Sequence, residues 1–187
     1  KSLRFVVPGL AGTSPDLLAR TIALHLVPRL GQQIVIMNLP GGGGNIGHST
    51  AARATPDGYT LLVTSDQLSI NETLFSNLPF HAVKSFAPVV QAIVSPQVLI
   101  VNTGLPFKDI AGLIDYAKAN PGKINFGSPQ IGTVGHLAGE LLKRTQKIDI
   151  VHVPFQGATA AIREIIAGQI QMMFVTLPPA LGHIQQG

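Results

Sequence analysis

Cysteine and tryptophan are both absent from the 187-residue chain, aromatic residues make up 5% of it, and charged residues only 12%. Without cysteine there is no disulfide framework, no thiol nucleophile and no thiolate metal ligand, and either cytoplasm or periplasm would suit the chain. No run reaches the roughly 18 apolar residues of a membrane-spanning helix. The longest apolar candidate, 89–101, is interrupted by Gln91, Ser95, Pro96 and Gln97. The densest basic stretch, Lys143-Arg144-Thr145-Gln146-Lys147, lacks the interleaved aromatics that stack nucleobases. It reads as the solvated end of a helix whose dipole it complements. The other basic residues are scattered, so the net charge of +4 forms no patch, and nucleic-acid binding is not expected.

What the chain does have is 45% hydrophobic residues, 20 glycines and 14 prolines, which suits a packed core made of many short elements and turns. Apolar, β-branched runs predict strands at 3–7, 33–37, 59–64, 87–94, 98–102, 124–126, 149–153 and 171–175. Segments of helical period predict helices at 15–30, 46–54, 108–119, 134–144 and 158–167. The first can be capped by Thr13 or Ser14, started by Pro15 and ended by Gly31, while Pro28 should distort its last turn. Alternating strands and helices define an α/β fold with mainly parallel strands. Only Ser95-Pro96-Gln97 separates two of the expected strands. A crossover between two α/β lobes is therefore placed there, with a first lobe at 1–98 and a second at 99–187. The chain opens at Lys1 and closes on Gln185-Gln186-Gly187 without an obvious terminal element. It is read as a mature or trimmed form that is incomplete at its C-terminal side.

Three segments share one design, in which a strand runs into a Gly/Ser/Thr-rich loop and then a helix start: 7–16, 126–136 and 153–159. A helix N-terminus carries unpaired N–H groups and a partial positive charge, glycine lets a ligand approach the backbone, and hydroxyls add donors. In open α/β sheets such loops line the crevice at the carboxyl ends of the strands. Ordinary helix capping uses the same residues, so for any one loop capping is the favoured reading; three together suggest an anion cleft. Gly42-Gly43-Gly44-Asn45-Ile46-Gly47 meets the dinucleotide pattern, with Asp66 near the place of a ribose-binding acid. However, Asn38-Leu39-Pro40-Gly41 intervenes between strand and motif, where a nucleotide turn follows its strand directly. Gly47-His48-Ser49-Thr50-Ala51 lacks the last glycine of a nucleophile elbow. The six histidines, at 25, 48, 81, 136, 152 and 183, show no metal-ligand spacing. Only His136 stands out, in the first turn after Gly132-Thr133. No paired carboxylates mark a cleft. Neither catalysis nor a cofactor or metal is expected.

The segment 8–20 (PGLAGTSPDLLAR) resembles the opening motif of the Bug family, the receptors of tripartite tricarboxylate transporters. The resemblance continues in order through 30–36, 38–47, 54–62, 118–123, Gly132-Thr133 with 136–141, and 150–155. It implies a two-lobed periplasmic binding protein of the type II, Venus-flytrap kind, here without its C-terminal part, which would complete the first lobe. It further implies a monomer that binds a small carboxylate, passes it to membrane transporter subunits, and neither spans the membrane nor catalyses a reaction. By the same resemblance, the loops at 8–16 and 127–136 hold a ligand carboxylate from opposite lobes, and those at 64–71, 156–159 and 174–178 shape the rest of the pocket. The ligand-binding residues so implied are Leu10, Ala11, Gly12, Thr13, Ser14, Asp16, Ser65, Ser128, Gly132, Thr133, His136, Gly157, Ala158 and Thr176. The chain departs from the family pattern at Gly12-Thr13, where a glycine pair is common, and at Val175, where a polar residue is usual; Val175 implies a less polar distal pocket. A nucleotide-dependent or acyl-transfer enzyme using the glycine-rich run is the alternative reading.

Overall fold

A computed structural model describes residues 1–186; Gly187, the last residue of the expected second lobe, lies outside them. The chain divides into two units, Lys1–Val90 and the residues from Gln91 onward. The division precedes the 98/99 boundary expected from sequence, because Gln97 and Val98 already pair within the sheet of the second unit.

In the first unit, β1 (Leu3–Val7), α1 (Ser14–Leu30), β2 (Ile34–Asn38), α2 (Asn45–Ala52), β3 (Thr60–Leu62) and α3 (Gln67–Leu74) follow one another. The sheet order is β2-β1-β3, with both pairings parallel. Because β1 is central, Phe5, Val6 and Val7 are all buried instead of alternating. Phe5 and Val7 meet Ala19 of α1, with Ile22, Leu26, Ile34, Ile36, Leu61 and Val63 packed around them. α1 runs on through Pro28 to Leu30 and closes at Gly31, whose left-handed backbone (φ 61°) lets its N–H reach the Val27 carbonyl at 3.0 Å. The expected distortion of the last turn therefore does not end the helix. The expected strand at 87–94 does not form. Its apolar side chains are instead out in solvent: Val89 is 78% exposed and Val94 83%. β-branched composition favours an extended segment but does not make a strand without a ladder partner.

The second unit contains β4 (Gln97–Val101), α4 (Ile110–Ala119), β5 (Ile124–Ser128), α5 (Val134–Gln146), β6 (Ile150–Pro154), α6 (Ala158–Ile166), β7 (Met172–Thr176) and α7 (Leu177–Ile184). The terminal helix α7 occupies a stretch where no element was expected. The sheet order is β4-β7-β5-β6; β5 is parallel to both neighbours and β4 is antiparallel to β7. Residues of β7 alternate between two cores. Met172 joins Leu113, Ala117, Ile124, Phe126, Ile148 and Ile150 on one side. Met173 and Val175 join Ala161, Ile162, Ile165, Ile170 and Ala180 on the other. The sheet is thus covered on both faces, as a largely parallel sheet requires.

Helix α5 lies close on this sheet through two glycines one turn apart. A methyl group on Gly135 would strike the Phe174 carbonyl oxygen, and one on Gly139 would strike the Phe126 ring. This contact brings the first turn of α5 up to the carboxyl ends of β5 and β7.

Candidate functional site

The loops that start α1 and α5 have the same backbone. Gly12 has φ +84° and Gly132 φ +82°, values that strain any residue with a side chain. Thr13 (φ −73°, ψ 160°) and Thr133 (φ −75°, ψ 158°) follow as extended N-cap residues. Each threonine folds back on the residue three before it. The Leu10 carbonyl accepts from the Thr13 N–H at 3.3 Å and from its Oγ1 at 2.7 Å; the Gln130 carbonyl accepts from Thr133 at 3.3 and 2.8 Å. In α1 the threonine hydroxyl, turned to Leu10, makes no cap bond to the helix. In α5 the Thr133 hydroxyl also accepts from the His136 N–H at a long 3.4 Å.

The two loops differ in what holds the glycine amide. The Gly12 N–H donates to Asp16 Oδ2 at 2.8 Å. Asp16 is 1% exposed and also accepts from Arg20 Nε and Asn38 Nδ2, both at 2.9 Å. The Arg20 hydrogen bond is the largest cause holding this carboxyl down at about 2; burial opposes it, and the Gly12 and Asn38 bonds assist. Asp16 is therefore occupied in fixing its own loop. In the second loop, the Gly132 N–H donates to His136 Nδ1 at 3.2 Å. Ser128, fully buried, donates to the Gln130 carbonyl at 3.0 Å and lies 2.7 Å from His152 Nε2. The His152 ring stacks on His136, centroids 4.1 Å apart, and on Phe126 at 4.9 Å.

The sequence-derived candidates fall into two groups, one per unit. In the first unit Leu10, Ala11, Gly12 and Ser14 are exposed, Thr13 is half-buried, and exposed Ser65 follows β3, which lies next to β1. In the second, Ser128 and Gly132 are buried, and Thr133 and His136 half-buried. Gly157 and Ala158 are joined to them because the Gly157 N–H donates to the Pro129 carbonyl at 2.8 Å and the Phe155 N–H to Ser128 at 3.0 Å. Thr176 precedes α7 at the end of β7, beside β5. Val175, expected to make a distal pocket less polar, is 2% exposed and sits in the core under α6 and α7, so it lines no pocket. Arg20, Asn38 and His152 are partners that sequence reasoning missed. The four-residue spacing of Asp16 and Arg20 signals an ion pair, but nothing in the linear order joins Ser128 to His152.

The glycine-rich run is a packing feature. All four of Gly41–Gly44 have positive φ. A methyl on Gly47 would come within 2.7 Å of Pro8 Cα, and one on Gly44 within 3.1 Å of the Pro8 carbonyl. The run thus lies against the base of the first loop, while Asn71 Nδ2 donates to the Gly43 carbonyl at 2.9 Å. His48 is wholly buried in α2, with Nε2 2.9 Å from Thr64 Oγ1. Among the described residues no group of three or more His, Asp or Glu could hold a metal ion, and no helix is long and apolar enough to cross a membrane.

The model of the tripartite tricarboxylate transporter family receptor matches residues 18–187. The protein BugT of Bordetella pertussis is 31% identical over 100% of this chain and 58% of its own length. Among solved structures, Rpa4515 of R. palustris with adipate superposes with a TM-score of 0.92 at 31% identity, covering 100% of this chain and 62% of that one. MatC (Rpa3494) from Rhodopseudomonas palustris, with bound malate, gives 0.85 at 28% identity, covering 99% and 63%. The chain spans little more than half the length of the curated relatives that it matches along most of its own length.

Proposed function

The chain belongs to the family of tripartite tricarboxylate transporter receptors, and from that premise we propose that it captures a small carboxylate outside the cytoplasmic membrane for delivery to membrane transporter subunits. One observation carries this reading. Both units present a helix start behind a Gly-Thr turn whose side-chain polar groups are turned inward onto the loop. Fixed in this way, the loops offer first-turn amides and the positive helix end to a ligand. Carboxylate oxygens suit them, because amide-to-carboxylate hydrogen bonds are about twice as strong as neutral ones. The adipate and malate of the two solved relatives are small dicarboxylates, so this class is proposed for the present chain.

The reading involves no chemical step on the ligand. A receptor needs saturable binding and release, and preformed loops favour binding because little backbone entropy is lost on contact. The test is calorimetric titration of the purified protein carrying this chain with malate, adipate, acetate and a dinucleotide. Saturable binding of a dicarboxylate, weakened by Gly12→Val and Gly132→Val, is the expected result. Binding of the dinucleotide alone would overturn it.

A further inference from the structure

We infer that His152, on β6, is a positioning residue for carboxylate capture: acting through Ser128 and His136, it sets the shape of the β5–α5 loop and the tautomer that His136 offers to a ligand. The inference deepens the receptor reading and rests on it for the identity of the ligand.

The hydrogen bonds fix the protons. Ser128 Oγ has one proton and gives it to the Gln130 carbonyl at 3.0 Å. The 2.7 Å contact with His152 is therefore made by a His152 Nε2–H donating to the serine oxygen. Gln130 is the pivot of the loop, since its carbonyl also takes both donors of Thr133. A chain of donors thus runs from β6 through Ser128 to the turn that precedes α5. At its other end, the Gly132 N–H needs a lone pair on His136 Nδ1, which puts the His136 proton on Nε2. That Nε2–H is the donor left to a half-buried side chain at the helix start.

His152 couples the two ends, because its ring lies between those of Phe126 and His136, at 4.9 and 4.1 Å. Phe126 is itself clamped under Gly139 of α5. The stack accordingly ties strand, loop and helix together. Burial, with His136 in the same direction and Glu140 opposing, pushes the His152 imidazole down to about 4. It therefore stays neutral at pH 7, as the donor chain requires. In the first loop Pro8 takes the place of Ser128 and offers no hydroxyl; there Asp16 holds the Gly12 amide, and Asn38 of β2 donates to Asp16 and to the Gly9 carbonyl. Both loops are thus held in part from a neighbouring strand, and the second is the one held through a histidine that also touches the side chain at the helix start.

The test compares the wild-type protein with Ser128→Ala, His152→Phe and His152→Gln. Malate and adipate serve as calorimetric probes, and ¹⁵N spectra of the imidazole nitrogens are recorded without ligand. His152→Phe keeps a ring in the stack and removes the donor; His152→Gln keeps an N–H for Ser128. The expected result is a loss of about tenfold in affinity for Ser128→Ala and His152→Phe, the value of one net hydrogen bond. His152→Gln should recover to within about threefold by the same measure. The ¹⁵N spectrum should show His136 protonated on Nε2 in the wild type and a mixture of tautomers in Ser128→Ala and His152→Phe. Wild-type affinity in all three variants, or a His136 tautomer that none of them moves, overturns the inference. If the wild type binds neither probe while the tautomer shifts as expected, the receptor reading fails and the coupling of His152 to His136 stands.

Discussion

Replacing Asp16 with asparagine should disable the first loop more than its small change in shape suggests. The carboxylate accepts three hydrogen bonds, from Gly12 N at 2.8 Å and from Arg20 Nε and Asn38 Nδ2 at 2.9 Å, in a site that is 1% exposed. An asparagine has one oxygen and brings an NH2 group among three donors, so at least one N–H loses its partner in a buried place. An orphaned buried donor costs about 1–3 kcal/mol, and about 2 kcal/mol is the central expectation. For a unit of this size that corresponds to a fall in melting temperature of roughly 10 °C. Arg20 is the largest cause of the lowered Asp16 pKa, yet its side chain is 53% exposed. The ion pair is therefore screened, and Arg20→Ala should cost less stability than Asp16→Asn. The acid limb provides a second check. Its hydrogen bonds hold Asp16 down to about 2 in the folded chain against an ordinary 3.8, so the unfolded chain takes up a proton first. The stability Asp16 contributes is complete above 3.8 and is lost as pH falls through about 2. Calorimetry of wild type, Asp16→Asn and Arg20→Ala at pH 7 and pH 3 decides the matter. If Arg20→Ala proves the more harmful variant, the loop lock is refuted and an ordinary surface ion pair takes its place.

Four further substitutions test other parts of the fold. His48 is wholly buried, its Nδ1 has no partner among the described residues, and burial pushes it down to about 4 from an ordinary 6.5. Stability should therefore be full above 6.5 and fall towards pH 4 by up to about 3 kcal/mol from this group; urea unfolding at pH 7.5 and 4.5 should show a smaller loss in His48→Gln. Gly139→Ala drives a methyl into the Phe126 ring, whereas Gly182 in α7 has nothing within 4 Å of an added Cβ. Denaturant midpoints should show the first destabilised by about 2 kcal/mol and Gly182→Ala stabilised by about 0.5 kcal/mol. Lys147, the one non-glycine residue with positive φ (53°) among the described residues, caps α5. Lys147→Gly should stabilise by about 0.5–1 kcal/mol, and an unchanged unfolding midpoint would contradict the account of that cap.

What the sequence revealed depended on range. β1 at Leu3–Val7 and the start of α5 at Val134 were legible to the residue, because a β-branched run and a Gly-Thr cap are local signals. The α7 segment, Leu177–Ile184, was not expected: two prolines sit in LPPALGHI, and both fall in the first turn, where a missing N–H costs nothing. The 87–94 run misled for the opposite reason, since its composition is strand-like but a strand is made by its partner. The site followed the same rule. Gly12, Thr13, Gly132 and Thr133 stand in recognisable turns, but the bond from Ser128 to His152 depends on the register of β5 with β6. In that register Phe126 is level with His152, and Ser128 reaches it diagonally.

The same backbone turn therefore carries different electrostatics in the two units. At α1 the glycine amide is held by a buried carboxylate, whose negative charge lies in the first turn and is compensated by Arg20. That charge opposes the positive helix end that would attract a carboxylate. At α5 the equivalent amide is held by an imidazole lone pair, and the first turn contains no acidic residue. The field of α5 is left unopposed at its start, while that of α1 is partly cancelled by its own anchor. Nearly equal φ angles at Gly12 and Gly132 thus do not make electrostatically equivalent loops. The residue four places on decides how much of the helix field is left uncancelled at the loop, and it is aspartate in one loop and histidine in the other.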